Sequence, residues 1–141
     1  MKKLIIFSFS VLLLASCKKN EEKTCNLNSA SVTGSYKITS VKYKADASSP
    51  ETDYYNQFFT EVCERDDIIT LNANGTYTFI DGGVKCIPPG DDTGTWSLSG
   101  NTITVDGGSS NVDNFNCSTM TISSSDVFNP GDRLILVLTR Q

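Results

Sequence analysis

Ile68-Ile69-Thr70-Leu71-Asn72-Ala73-Asn74-Gly75-Thr76-Tyr77-Thr78-Phe79-Ile80 is the stretch that decides the fold. Ile69 and Leu71 share one parity, a turn follows, and Tyr77 and Phe79 share one parity beyond it. Period-two alternation marks strands with one buried face. Two turns compete. A two-residue Asn74-Gly75 loop would set Tyr77 and Phe79 opposite Asn72 and Thr70. A three-residue loop with Gly75 in the left-handed conformation pairs 71 with 77 and 69 with 79, which puts all four apolar side chains on one face. Register follows the buried face, so the second turn is expected.

The same pattern continues in both directions. Downstream, Trp96 and Leu98 alternate, Gly100-Asn101 turns, and Ile103 and Val105 alternate; a two-residue loop pairs 98 with 103 and 96 with 105. Met120 and Ile122 give another strand. Asn129-Pro130-Gly131-Asp132 reads as a turn, and Leu134 to Leu138 is a continuous apolar strand, either buried on both faces or closing the sheet. Upstream, Tyr36 and Ile38 share one parity and Val41 and Tyr43 the other, so a bulge is expected near Thr39-Ser40. Ser49-Pro50-Glu51 carries helix-start signals, and Tyr55, Phe58, Phe59 and Val62 fall on one helical face. One short helix over residues 50–62 follows from that spacing. The expectation is an all-β fold of seven or eight short antiparallel strands with one short helix after the first strand. It forms a small up-and-down β-barrel, a two-sheet sandwich being the alternative.

The 141 residues are 38% hydrophobic and 20% charged, a globular composition. Twelve Lys+Arg against sixteen Asp+Glu give a net charge of −4, which argues against a nucleic-acid partner. There is no His, which excludes Ser-His-Asp and Cys-His catalysis and His-ligated zinc.

Met1-Lys2-Lys3 followed by the apolar stretch Leu4 to Ala15 reads as a signal peptide over residues 1–16. It ends Leu14-Ala15-Ser16-Cys17, which resembles the bacterial lipobox. The resemblance implies that Cys17 is acylated and becomes the mature N-terminus, anchored to the outer membrane. Loss of Lys2 and Lys3 with the leader shifts the net charge from −4 to −6. Residues 17–33 are polar and aperiodic, a flexible tether, and residues 34–141 form the domain. Lys18-Lys19-Asn20-Glu21-Glu22 looks like the charged export signals of Bacteroidetes-type surface lipoproteins.

With Cys17 lipidated, four of the five Cys remain, an even set in an exported chain, where disulfides are the default. Carrying the 71–77 register back along both strands sets Cys63 opposite Lys85. A bulge at Gly82-Gly83 would move it opposite Cys86. Cys63 is therefore expected to pair with Cys86 and, by elimination, Cys25 with Cys117.

"GSYKITSV", "C…DDIITLNANGTYTFIDGGVKC", "GTWSLSGNTITV" and "LILVLTR" together resemble the lipocalin-like domain of Bacteroidetes-type lipoproteins, over residues 34–141. The resemblance implies an up-and-down barrel that encloses a hydrophobic pocket. It also implies that the first-strand aromatic, here Tyr36 where general lipocalins carry Trp, packs against a late Arg, here Arg140.

Tyr55, Phe58 and Phe59, beside Tyr54, are candidates for a lid or pocket wall, and equally for plain packing of a helix onto the barrel. Tyr77, Phe79 and Trp96 are candidates for the pocket interior or for core filling. Asp106 to Asp113 is the nearest approach to a calcium loop. It lacks the glycine at position six and has Cys117 where the last ligand should be Glu. Asp66-Asp67 and Asp91-Asp92 lie beside turns. No metal, cofactor or enzymatic activity is expected. Three readings of function are weighed: a membrane-tethered binder of a small hydrophobic ligand, an interaction module that docks a protein partner or inhibits an enzyme, and a hydrolase, which the missing His disfavours.

Overall fold

The computed structural model describes residues 25–141. The leader, Cys17 and residues 17–24 of the expected tether lie outside the described residues. The chain runs through a one-turn helix α1 (Ser29–Val32), β1 (Gly34–Lys44), β2 (Thr52–Asp53), a second one-turn helix α2 (Tyr55–Phe58) and a 3-10 turn over Val62–Asp66. Then come β3 (Ile68–Leu71), β4 (Thr76–Ile80), β5 (Asp92–Ser99), β6 (Thr102–Val105), β7 (Gly108–Phe115), β8 (Thr119–Ser125) and β9 (Arg133–Arg140). Each strand from β3 to β9 pairs antiparallel with the next. β1 pairs with β3 through Gly34 to Tyr36 and with β9 from Tyr36 to Lys44, which closes eight strands into a ring. The barrel is therefore up-and-down and leaves no long unpaired edge. The ninth strand, β2, is only two residues long and pairs with Lys42 and Tyr43.

The two decisive hairpins have the expected registers. Leu71 pairs with Tyr77 and Ile69 with Phe79. Leu98 pairs with Ile103 and Trp96 with Val105. Gly75 has φ +81°, the left-handed conformation that the three-residue loop requires. β1 slips register between Ile38 and Ser40 against β9. That bulge lets Tyr36 and Val41, of opposite parity, both reach the interior, where each is fully buried. β9 is the closing strand: Leu134, Leu136 and Leu138 are buried inside with Met120 and Val112, while Ile135 is buried on the outer face.

Strand directions sort the connections into two ends. The hairpins at 72–75, 100–101 and 116–118, α1 and the C-terminus lie at one end, the base. The segments 45–67, 81–91, 106–107 and 126–132 lie at the other, the mouth. At the base, Val32 is fully buried and the Cys25–Cys117 disulfide ties the chain to the β7–β8 loop. The polar stretch expected to be tether thus packs against the barrel from Cys25 onward. Asn28 caps α1 through a reciprocal pair of hydrogen bonds with Ser31, and Val32 supplies the apolar contact.

The helix expected over 50–62 is replaced by three separate pieces. The Asp46 carboxylate accepts the backbone N–H groups of Ser48 and Ser49, a turn that competes with a helix start at Pro50. Thr52–Asp53 then extends along β1, and the Tyr54 N–H donates to the Val41 carbonyl. The Asp53 carboxylate accepts the Tyr55 N–H; the helix begins there, lasts one turn, and ends where Phe59 turns to an extended conformation. Val62, on the expected apolar face, is 67% exposed. A single helical turn has little stability of its own, so barrel contacts decide its course.

Candidate functional site

At the base, the Tyr36 hydroxyl donates to the Val32 carbonyl at 2.8 Å. The Arg140 guanidinium donates from Nη2 to the Tyr36 oxygen at 2.7 Å and to the Ser31 carbonyl at 2.6 Å. Its carbon lies 5.2 Å from the Tyr36 ring centroid. Burial pushes the Tyr36 phenol up, and the Arg140 charge and hydrogen bond oppose that rise. This cluster, with α1 across it, closes the base. The pairing of Tyr36 with Arg140 is the one the family resemblance implied.

Above it lies an apolar cavity of about 130 Å³. Its wall is built by inward-facing strand residues: Tyr36 and Ile38 from β1, Ile69 from β3, Phe79 from β4, Ile122 from β8, and Leu136 and Leu138 from β9. Phe59, just past the end of α2, closes over it, and Glu64, Arg65 and Asp67 supply the polar rim from the 3-10 turn and its end. On the other side of the mouth Tyr43, Tyr54 and Phe128 form a three-ring cluster with centroids 5.5–5.8 Å apart. The Tyr43 hydroxyl donates to the Asp132 carboxylate at 3.2 Å. Burial alone would raise that carboxyl. The N–H groups of Asn129, Val127 and Phe128, with Tyr43, outweigh it and hold the group below its ordinary range.

Of the aromatic candidates, Phe59 and Phe79 line the cavity. Tyr55 and Phe58 do not; they back Phe59, with centroids 5.0 and 4.9 Å from its ring, and Phe58 is partly exposed. Tyr77 and Trp96 are buried core residues off the cavity. Trp96 Nε1 donates to the Asn72 carbonyl near the base at 2.9 Å. The Tyr77 hydroxyl lies 2.6 Å from the Asp106 carboxylate and 3.1 Å from that of Asp92. These contacts, the Asp106 bond first, then burial, push the Tyr77 phenol far above its ordinary range. Asp106, the first acid of the rejected calcium loop, is thus a latch between β4 and β5. It also accepts the Thr95 N–H, and a Cβ on Gly94 would collide with both its carboxylate oxygens. No group of three metal-ligating side chains converges among the described residues.

The Cys63–Cys86 disulfide lies at the mouth. Its partners are as expected, but the strand register that suggested them does not extend there. β4 ends at Ile80, and the bond joins the 3-10 turn to the 81–91 loop. Gly82 is not a bulge in a strand: its N–H donates to Asp67, and a Cβ there would strike the Asp66 carbonyl. Loop and turn pack too closely for a side chain.

Sequence reasoning did not single out the rim residues Glu64 and Arg65, and read Asp67 only as an acid beside a turn. The wall residues Ile38, Ile69 and Ile122 were readable from strand alternation, whereas Leu136 and Leu138 lie in a continuous apolar run whose inner face parity does not mark. Which inward positions border empty space depends on how the large rings of Trp96 and Tyr77 fill the other half. A model of the lipocalin-like domain family matches residues 16–125. No curated protein matches the chain. A closed antiparallel barrel, a base sealed by an aromatic–arginine pair and a match over most of the length agree, and the chain belongs to the lipocalin-like domain family.

Proposed function

We propose that the protein is a non-enzymatic binder of a small hydrophobic molecule, held at the outer membrane by lipid on Cys17. The observation that carries the binding half is the cavity of about 130 Å³ with an apolar wall and a polar rim. Natural ligand sites are concave and mostly apolar, with a few polar groups that orient the ligand. The size is close to that of an engineered apolar cavity of about 150 Å³ that stays dry and binds benzene. The ligand is therefore a compact body of about one ring, not a long acyl chain. The anchoring half rests on the leader and the Leu14-Ala15-Ser16-Cys17 ending. No helix among the described residues is long and apolar enough to cross a membrane.

Filling the cavity tests the binding half. Ile122→Trp places a bulky ring in the wall while the barrel's hydrogen bonding is kept. A single-ring apolar compound should stabilise the unsubstituted protein against heat in a saturable way and leave the variant's melting temperature unmoved. Equal stabilisation of both proteins would refute the site.

A second reading, docking of a protein partner, is favoured by the side chains of Val62, Val84 and Ile87. They lie 67%, 60% and 98% exposed beside the mouth disulfide.

A further inference from the structure

One polar contact at the cavity is left unmade. Arg65 borders the cavity from the 3-10 turn, and its Nε is buried with no acceptor among the described residues. Its Nη2 donates to the Phe59 carbonyl at 3.3 Å, which holds the guanidinium beside the residue that closes the cavity. A guanidinium has donors only, so nothing but an acceptor can satisfy it. A buried donor left unpaired is costly, most of all on a charged group. Three other buried side-chain atoms among the described residues also lack a partner: Asp66 Oδ1, Asp81 Oδ1 and Arg140 Nε. None of those residues lines the cavity.

The acids beside Arg65 are already engaged by backbone. Glu64 Oε2 accepts the Glu61 N–H at 3.0 Å, Asp66 Oδ2 the Val84 N–H at 2.9 Å, and Asp67 Oδ1 the Gly82 N–H at 3.0 Å. Neither ion pair among the described residues involves Arg65: they join Lys42 to Glu51 and Arg133 to Asp113. The acids still act through their field. Burial pushes the Asp67 carboxyl up; the Gly82 N–H opposes this, and the charges of Asp81, Asp66 and Glu64 add to the rise. A ligand group at this rim therefore meets one unpaired donor with three carboxylates on neighbouring residues. A cation would leave the donor unmet. An anion would meet it but lie among like charges, which disfavour a second negative group. A neutral oxygen acceptor satisfies the donor and escapes the repulsion.

We propose that the ligand is a neutral one-ring compound bearing a ketone or ester carbonyl, with the ring in the cavity and the carbonyl oxygen accepting the Arg65 Nε–H. This rests on the cavity being the binding site, and it supplies the polar contact that orients a ligand in an apolar pocket. A site with a buried donor rejects a look-alike that lacks the acceptor, because binding then seals the donor in unpaired.

One carbon skeleton with different polar groups supplies the test: acetophenone, cumene, benzoate and 1-phenylethylammonium, titrated by NMR into the full mature chain and into its Arg65→Met variant. Met keeps an apolar stem and removes the donors. The substitution should weaken acetophenone about tenfold or more, a loss of about 1.4 kcal/mol, and leave cumene unchanged. In the unsubstituted protein both charged compounds should bind more weakly than acetophenone. The Arg65 Nε–H resonance should move downfield with acetophenone and stay in place with cumene, a reading that does not depend on how the variant folds. Equal losses for acetophenone and cumene, or an unmoved resonance, would overturn the carbonyl assignment and leave the cavity reading standing. Tightest binding of benzoate would overturn it in favour of a carboxylate on Arg65, and tightest binding of the ammonium in favour of the rim acids. If none of the compounds binds, both readings fall together.

Discussion

Tyr77 illustrates how one side chain can be core and electrostatic element at once. Its ring fills the barrel between Leu71 and Trp96, while its hydroxyl holds the Asp106 latch. The raised phenol has a signed consequence. A tyrosine whose folded-state pKa exceeds its unfolded value of about 10 adds stability that is complete below that pH and is lost as pH rises through the folded value. Stability should therefore fall steeply on the strongly alkaline side. In an ultraviolet titration of tyrosinate absorbance, Tyr77→Phe should remove the last transition of the native protein. Loss of an ordinary transition near pH 10 instead would contradict the latch. Asp106 behaves in the opposite sense. The Thr95 N–H, then the Tyr77 hydroxyl, hold its carboxyl below the ordinary range, so its contribution is present at neutral pH and is lost only in acid. At the base, Arg140 serves Tyr36 and the Ser31 carbonyl from one nitrogen, a charge-assisted arrangement of the stronger kind.

At the scale of elements, the two disulfides act on opposite ends of the barrel. Cys25–Cys117 spans 92 residues and fastens the segment that covers the base. Cys63–Cys86 spans 23 residues and fastens the rim-bearing turn to the 81–91 loop. Loop-closure entropy assigns roughly 4–5 kcal/mol to the longer span and roughly 3 to the shorter. Denaturant melts of the two double Cys→Ser variants should show the larger loss for the base pair. Ligand affinity should fall more than stability for the mouth pair, because that pair positions Glu64 and Arg65. The reverse ranking in both measurements would contradict this division.

Elements also differ in how legible they were. The hairpin around Gly75 and the one around Gly100 were readable, since local turn chemistry and inward parity agree on one register. The bulge in β1 was readable because Tyr36 and Val41 cannot otherwise share a face. The 45–67 connection was not. Tyr55, Phe58, Phe59 and Val62 have helical spacing, but strand pairing by Thr52–Asp53 and the Cys63 bond are tertiary events that override it. The two disulfide partnerships were reached although one argument for them failed. The cavity rim was invisible because the 3-10 turn is set over the cavity by tertiary contacts: the Cys63–Cys86 bond and the Gly82 and Val84 N–H groups that donate to Asp67 and Asp66.

The whole molecule is polar along its axis. The base is stapled, sealed by Tyr36 and Arg140, and free of acids in its loops; the mouth carries the acids, the cavity rim and the exposed apolar side chains. Cys17→Ser should release the protein from the membrane fraction or leave its leader uncleaved; a processed variant that still needs detergent for extraction would contradict the anchor. The central claim is that the cavity takes a ligand, and methyl NMR tests it most directly. On titration with benzene, saturable shifts should appear at the methyl groups of Ile38, Ile69, Ile122, Leu136 and Leu138, while Ile103 and Leu98 in the filled half stay unmoved. Shifts that never saturate, or that appear only at the exposed Val84 and Ile87, would contradict the account.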